Sequence, residues 1–220
     1  MNTDCGIIFD LDGTLADTAP DLLASLNHCV RDHGFPIFTL EEIGHLVGQG
    51  SIAMIKRAFA LHETDLSDAL LKELHSEFLT HYEDNIAGHS KLFDGIPALL
   101  DALQSDGHPL CICTNKYEGM ARKLLEELRI NDRFASITGG DTFEFRKPDG
   151  RHLEQTLQLA NCNRGIMVGD TITDAHAAKN ASMPLILVDF GYSAEPVSTF
   201  EPDAILSHFD QAYAAIAKLR

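Results

Sequence analysis

Beyond Gly95 the sequence alternates short apolar runs with stretches of helical periodicity, and between Asp17 and about Ser90 every signal is helical. These two observations predict an α/β fold. Its core is a doubly wound parallel sheet covered by helices on both faces, and an all-helical segment is inserted after the first strand.

The elements follow in order. Residues 6–11 (GIIFDL) form a short apolar run that ends in acidic residues and Gly13, the pattern of a buried strand feeding a loop. Pro20 then sits in a first helical turn, Leu22, Leu23, Leu26 and Val30 repeat at helical spacing, and Gly34 is a natural stop. Thr39 and Glu42 have capping-box spacing ahead of Ile43, Leu46 and Val47, and Ser67 precedes Leu70, Leu71, Leu74, Phe78 and Tyr82. After Gly95 the reading is a strand over 109–114, a helix carrying Ala121, Leu124, Leu125 and Leu128, and a strand over 136–138. A helix with Leu153 and Leu157 follows, then a strand over 165–168, a helix, and a strand over 185–188. The first strand joins this sheet if residues 17–90 are an insertion, so the expected domains are 1–16 with 91–220, and 17–90.

Composition sets the partners. The chain is 45% hydrophobic and 23% charged with mean hydropathy −0.06, as in a globular rather than a disordered protein. Thirty-three acidic against seventeen basic residues leave a net charge of −16, a field that repels nucleic acid backbones and anionic membrane surfaces. An anionic substrate must therefore meet local cations, a bound metal or aimed N–H groups. Five cysteines without a C-x-x-C pair argue against a zinc or disulfide framework and for a reducing, cytoplasmic setting. The first apolar run begins too early and is too short for a secretory signal, and no run of about 18 apolar residues exists.

In a parallel sheet, ligands bind at the carboxyl ends of the strands. There the sequence places Asp10, Asp12, Gly13 and Thr14, then Thr114, Asn115 and Lys116, then Lys147 and Pro148, and last Gly169, Asp170 and Asp174. Four carboxylates converging on one crevice repel one another unless a cation joins them. Oxygen donors with open positions suit Mg²⁺, and Mg²⁺ with Lys147 makes the crevice attractive to a phosphate. Phosphoryl transfer is the implied reaction class.

F-D-L-D-G-T-L (Phe9 to Leu15), Thr114-Asn115, Lys147-Pro148 and G-D-x-x-x-D (Gly169 to Asp174) resemble, in order and spacing, the four motifs of haloacid dehalogenase-like phosphatases. The resemblance implies a Rossmann-like core with an α-helical cap domain. G-G-D-T (Gly139 to Thr142), F-R-K-P-D (Phe145 to Asp149), F-G-Y (Phe190 to Tyr192) and Pro202-Asp203 are similar to the phosphoglycolate phosphatase branch. By that resemblance Asp10 is the nucleophile forming an aspartyl-phosphate, and Asp12 is the acid and base that serves the leaving oxygen and then water. Thr114 and Lys147 hold the non-bridging oxygens with Asn115 in support. Asp170 binds Mg²⁺ beside Asp10 and the backbone carbonyl of Asp12, and Asp174 braces that shell. Dehalogenases and phosphonatases of the superfamily lack the acid at the position of Asp12, which points to a small phosphate ester, 2-phosphoglycolate first.

Two other readings use the same residues: a phosphosugar mutase on the same core, and a receiver-type phospho-acceptor module. Asp12 and the helical insertion argue against the receiver, since a switch needs neither a leaving-group acid nor a lid. Within the insertion, Lys56 and Arg57 lie on a helix otherwise built from Ile52, Met54, Ile55, Ala58 and Phe59. Either these charges reach solvent at the edge of the bundle or, as the resemblance to phosphoglycolate phosphatases implies, Arg57 or Lys56 binds the substrate carboxylate, Arg57 first.

Overall fold

The computed structural model describes residues 4–220. Its main sheet has six parallel strands: β1 (Cys5–Phe9), β4 (Leu110–Cys113), β5 (Ser136–Thr138), β6 (Arg164–Gly169), β7 (Leu185–Val188) and β8 (Ala204–Leu206). Their order is β5-β4-β1-β6-β7-β8. The chain runs from β1 to β4 and β5 on one side, then crosses back to β6, β7 and β8 on the other. Such a reversal leaves a crevice at the carboxyl ends of the central strands. β1, β4, β6 and β7 are almost wholly buried, which is why they read as continuous apolar runs rather than alternating ones.

Ile8, Cys111, Cys113, Met167, Leu185 and Leu187 share one face of the sheet with Leu153 and Leu157 of α7 (Gly150–Leu159) and Ala175, Ala177 and Ala178 of α8 (Ile172–Asn180). Cys111 and Cys113 thus act as small core hydrophobes, and all five cysteines are buried and outside any disulfide. Elsewhere α5 (Ile96–Ser105) packs on β4 and on α9 (Ala212–Leu219), and α6 (Glu118–Glu127) packs on β5.

Two compact units emerge from the contacts: the chain up to Asp17 with Lys91–Arg220, and Thr18–Ser90. The second is helical, with α1 (Ala19–Val30), α2 (Leu40–Ile43), α3 (Ser51–Leu61) and α4 (Asp68–Asp84). Its core holds Leu22, Leu26, Val30, Phe38, Met54, Ile55, Phe59, Leu74, Phe78 and Tyr82. Pro20 lies in the first turn of α1, and Gly34 ends the following 3-10 turn in the left-handed region. The buried Asp21 carboxylate accepts from His89 N, Ser90 N and Ser90 Oγ at 2.6 to 3.0 Å, which ties the first turn of α1 to the segment leaving the unit. Ser67 caps α4 by accepting from Leu70 N at 3.2 Å. At Thr39 only half of the expected box forms: Glu42 accepts from Thr39 N at 2.9 Å, but the Thr39 hydroxyl also donates to Glu42 instead of capping the helix.

Residues 1–3 of the expected first segment, and the side chains of residues 43–45 including Ile43, lie outside the described residues. The all-helical reading of residues 17–90 needs a correction at its border. Asp17 belongs to β2 (Ala16–Asp17), which pairs antiparallel with β3 (Lys91–Leu92). Strands of two residues are too short to carry an alternating pattern. The sequence reading also passed over α5, α9 and β8. The last is a three-residue edge strand with Ile205 exposed, so it shows no buried apolar run.

Candidate active site

β1 delivers Asp10. Its backbone N–H continues the ladder to Val168 O at 2.9 Å, and its Oδ1 accepts from Leu11 N at 2.7 Å. The chain then turns tightly: Leu15 N and Ala16 N both donate to Leu11 O at 3.0 Å, with Gly13 at φ +80°. A side chain at Gly13 would be strained by that φ and would also meet Asp170 Oδ2 at 2.3 Å. The glycine of the D-x-D-G motif therefore lets the loop lie directly on Asp170.

β6 delivers Asp170, which is fully buried. Thr14 Oγ1 donates to its Oδ1 at 3.1 Å and Tyr192 N donates to its Oδ2 at 2.7 Å. Gly191 gives the loop room, because a Cβ there would stand 2.3 Å from Asp170 Cβ. Asp174, in the first turn of α8, accepts through Oδ2 from Asp170 N, Thr171 N and Thr171 Oγ1 at 2.8 to 3.2 Å. Its other oxygen, Oδ1, receives Lys147 Nζ at 2.6 Å.

Lys147 is buried and reaches both Asp174 and, at 3.0 Å, Asp10 Oδ1. Burial works against its charge, yet Asp10 and Asp174 together hold its pKa above the ordinary lysine value. Its backbone N–H donates to Nδ1 of the buried His152 at 3.2 Å. Burial and the Lys147 charge push that imidazole down to about 4, so it stays neutral and accepting. Burial pushes Asp10 up to about 6, with Asp174 and Asp12 adding to the rise and Lys147 opposing it. Asp170 is raised well above the usual carboxylate range by burial, then by Asp174 and Asp10.

One carboxylate oxygen from each of Asp10, Asp170 and Asp174 lies within 4.8 Å of the others. Three buried carboxylates against one buried ammonium leave an excess of negative charge. A hard divalent cation relieves it, and an all-oxygen donor set fits such a cation.

At the end of β4, Thr114 is buried with its Oγ1 accepting from Lys116 N at 3.3 Å. Asn115 Nδ2 donates to Lys147 O at 2.9 Å, so the amide holds the lysine's loop. Asp12 is separate from the three clustered carboxylates. Lys116 Nζ donates to both its oxygens, at 2.6 and 2.7 Å. The sequence reading placed Lys116 at this strand end but gave it no role. It likewise placed Thr14 at the end of the first strand and Tyr192 in the F-G-Y motif without assigning either a role. Arg57 stands exposed on α3 of the helical unit, beside Lys56, with Met54, Ile55, Ala58 and Phe59 buried on the same helix.

Known proteins resemble this chain over most of its length. Residues 7–188 match the family model of haloacid dehalogenase-like hydrolases. A phosphoglycolate phosphatase of Agrobacterium fabrum is 50% identical over 204 residues, covering 92% of this chain and 88% of the relative. One from Mesorhizobium japonicum is 45% identical over 216 residues, covering 96% and 94%. The crystal structure of a predicted phosphoglycolate phosphatase from Haemophilus somnus superposes with a TM-score of 0.88 at 26% identity, covering 96% of this chain and 98% of that one.

Proposed function

The chain belongs to the haloacid dehalogenase-like hydrolase family, and on that premise we propose that it is a Mg²⁺-dependent phosphatase of 2-phosphoglycolate working through an aspartyl-phosphate on Asp10. The observation that carries this reading is the buried Asp10 carboxylate at the head of β1, fixed by Leu11 N and Lys147 beside Asp170 and Asp174. The names of the relatives support phosphoglycolate as substrate and favour hydrolysis over mutase chemistry.

In this reading the Asp10 carboxylate attacks phosphorus and the ester P–O bond breaks. The electron pair leaves on the glycolate oxygen, which takes a proton from Asp12. Water then attacks the phosphorus of the acyl phosphate, giving its proton to Asp12. Inorganic phosphate leaves and the Asp10 carboxylate is restored. Thr114 Oγ1 and Lys147 Nζ hold non-bridging oxygens, and Asn115 keeps Lys147 in place through its carbonyl. Asp10, Asp170 and the Asp12 carbonyl would hold Mg²⁺, with Asp174 bracing Asp170 and Lys147. When bound, Mg²⁺ supplies positive charge that offsets the carboxylates and the phosphoryl group. No helix among the described residues is long and apolar enough to cross a membrane.

The test is phosphate release from a panel of small phosphate esters, with and without Mg²⁺. Many turnovers on 2-phosphoglycolate, dependent on Mg²⁺, are expected. Uptake of a single phosphoryl group per chain without turnover would instead identify a receiver-type acceptor.

A further inference from the structure

The crevice contains a second buried lysine that the reaction above does not use. Lys116 has a side chain only 5% exposed, and its Nζ lies 2.6 and 2.7 Å from the two oxygens of Asp12. Its backbone is fixed on both sides: its N–H donates to Thr114 Oγ1 at 3.3 Å, and its carbonyl accepts from Gly140 N at 2.8 Å. The ammonium therefore has a set position at the junction of the loops after β4 and β5.

The two lysines divide the crevice. Lys147 serves Asp10 and Asp174, on the phosphoryl side. Lys116 serves Asp12, the residue that meets the leaving oxygen. In 2-phosphoglycolate the carboxylate is joined to that oxygen through one methylene, so with ordinary bond lengths its oxygens lie about 2.6 to 3.6 Å from the ester oxygen. An ammonium within 2.6 Å of Asp12 is within reach of them. It carries three donors, so one charge can serve Asp12 and a substrate carboxylate together.

We propose that Lys116 is the carboxylate subsite: it selects phosphate monoesters of short α-hydroxy acids by pairing with the acid group of the leaving alcohol. The inference rests on the phosphatase reading above and deepens it. It places a specificity determinant in the α/β unit, on the strand-end loop that carries Thr114.

The experiment compares kcat/KM for 2-phosphoglycolate and for ethyl phosphate, which has an alkoxide leaving group of similar size and no carboxylate. Wild type, Lys116→Met, Lys116→Gln and Lys116→Arg are measured, with thermal melts to confirm folding. Loss of Lys116 also loosens Asp12 and lowers both substrates by a common factor, so the ratio of the two is the readout. A charge-assisted hydrogen bond predicts that the ratio falls about 10- to 200-fold in Met and Gln, mainly through KM for 2-phosphoglycolate, and recovers in Arg. Gln keeps donors for Asp12 without the charge, so it separates carboxylate recognition from positioning of Asp12. An unchanged ratio in Met and Gln overturns the subsite while leaving the phosphatase reading intact. A wild-type enzyme with no preference for 2-phosphoglycolate overturns the substrate assignment itself, and the subsite with it.

Discussion

Asp10→Asn should remove activity and, in the metal-free protein, raise stability. In the fold Asp10 titrates at about 6 against an ordinary value near 3.8, because burial and the neighbouring carboxylates outweigh the help from Lys147. A raised carboxyl pKa means that the folded state binds the proton more tightly than the unfolded chain. The charge therefore destabilises the fold fully above pH 6, and this penalty disappears as pH falls through 6 towards 3.8. At 1.36 kcal/mol per pKa unit the penalty at pH 7.5 is on the order of 3 kcal/mol, falling to about half of that at pH 5. Asparagine keeps the size and removes the charge. The melting temperature in chelator at pH 7.5 should rise by several degrees, at roughly 2 to 4 °C per kcal/mol for a chain of this size. The assay is thermal unfolding of wild type and variant at pH 7.5, 5 and 4 in EDTA, paired with kcat on 2-phosphoglycolate. A variant less stable than wild type at pH 7.5, or a gain that does not shrink with falling pH, would refute the electrostatic account. Retention of more than about a tenth of kcat would remove Asp10 as nucleophile, since loss of a covalent nucleophile lowers turnover by orders of magnitude.

Asp12→Asn should slow hydrolysis of ethyl phosphate far more than that of p-nitrophenyl phosphate in single-turnover measurements of phosphoenzyme formation, because a phenolate needs no proton to leave; equal losses would remove the acid role. Chelation should stop activity, Mg²⁺ should restore it and raise the melting temperature with concentration, and Ca²⁺ should stabilise without good turnover, its looser geometry misplacing the nucleophile. Full activity with metal content measured as nil would sink the metal assignment. Gly191→Ala should drive a methyl group into Asp170 and weaken Mg²⁺ binding in calorimetry, whereas unchanged affinity would show that the loop yields. Arg57→Ala should lower kcat/KM for 2-phosphoglycolate by about 10- to 200-fold and leave p-nitrophenyl phosphate unaffected if Arg57 shares the carboxylate. Equal change on both assigns it a surface role.

The central strands and the carboxylates at their ends were legible because both are local signals. A buried parallel strand is a run of apolar residues, and its functional residue is the next polar one, so Asp10, Thr114 and Asp170 could be located without any knowledge of pairing. The order of the strands follows less directly. β1 gains its neighbours from residues more than 100 positions away, Leu110 on one side and Ile166 on the other. What stayed hidden was short or long-range. β2 and β3 are two residues each and exist because the ends of the helical segment meet, which no window of sequence reports.

The same distinction separates the acids from the groups that set their properties. Asp10, Asp170 and Asp174 fall together because their strands do, but several hydrogen-bond partners of the site's acids are remote in the chain. Thr14 bonds Asp170 across 156 positions, Tyr192 bonds it across 22, and Lys116 bonds Asp12 across 104. Each partner lies on a loop at the same edge of the sheet, and no spacing rule links it to its carboxylate. Composition hid the effect as well, since a net charge of −16 says nothing about two lysines buried among four aspartates. In the proposed reading an acidic chain holds a phosphate ester because those two ammonium groups, poorly exposed to screening water, stand one beside Asp10 and one beside Asp12.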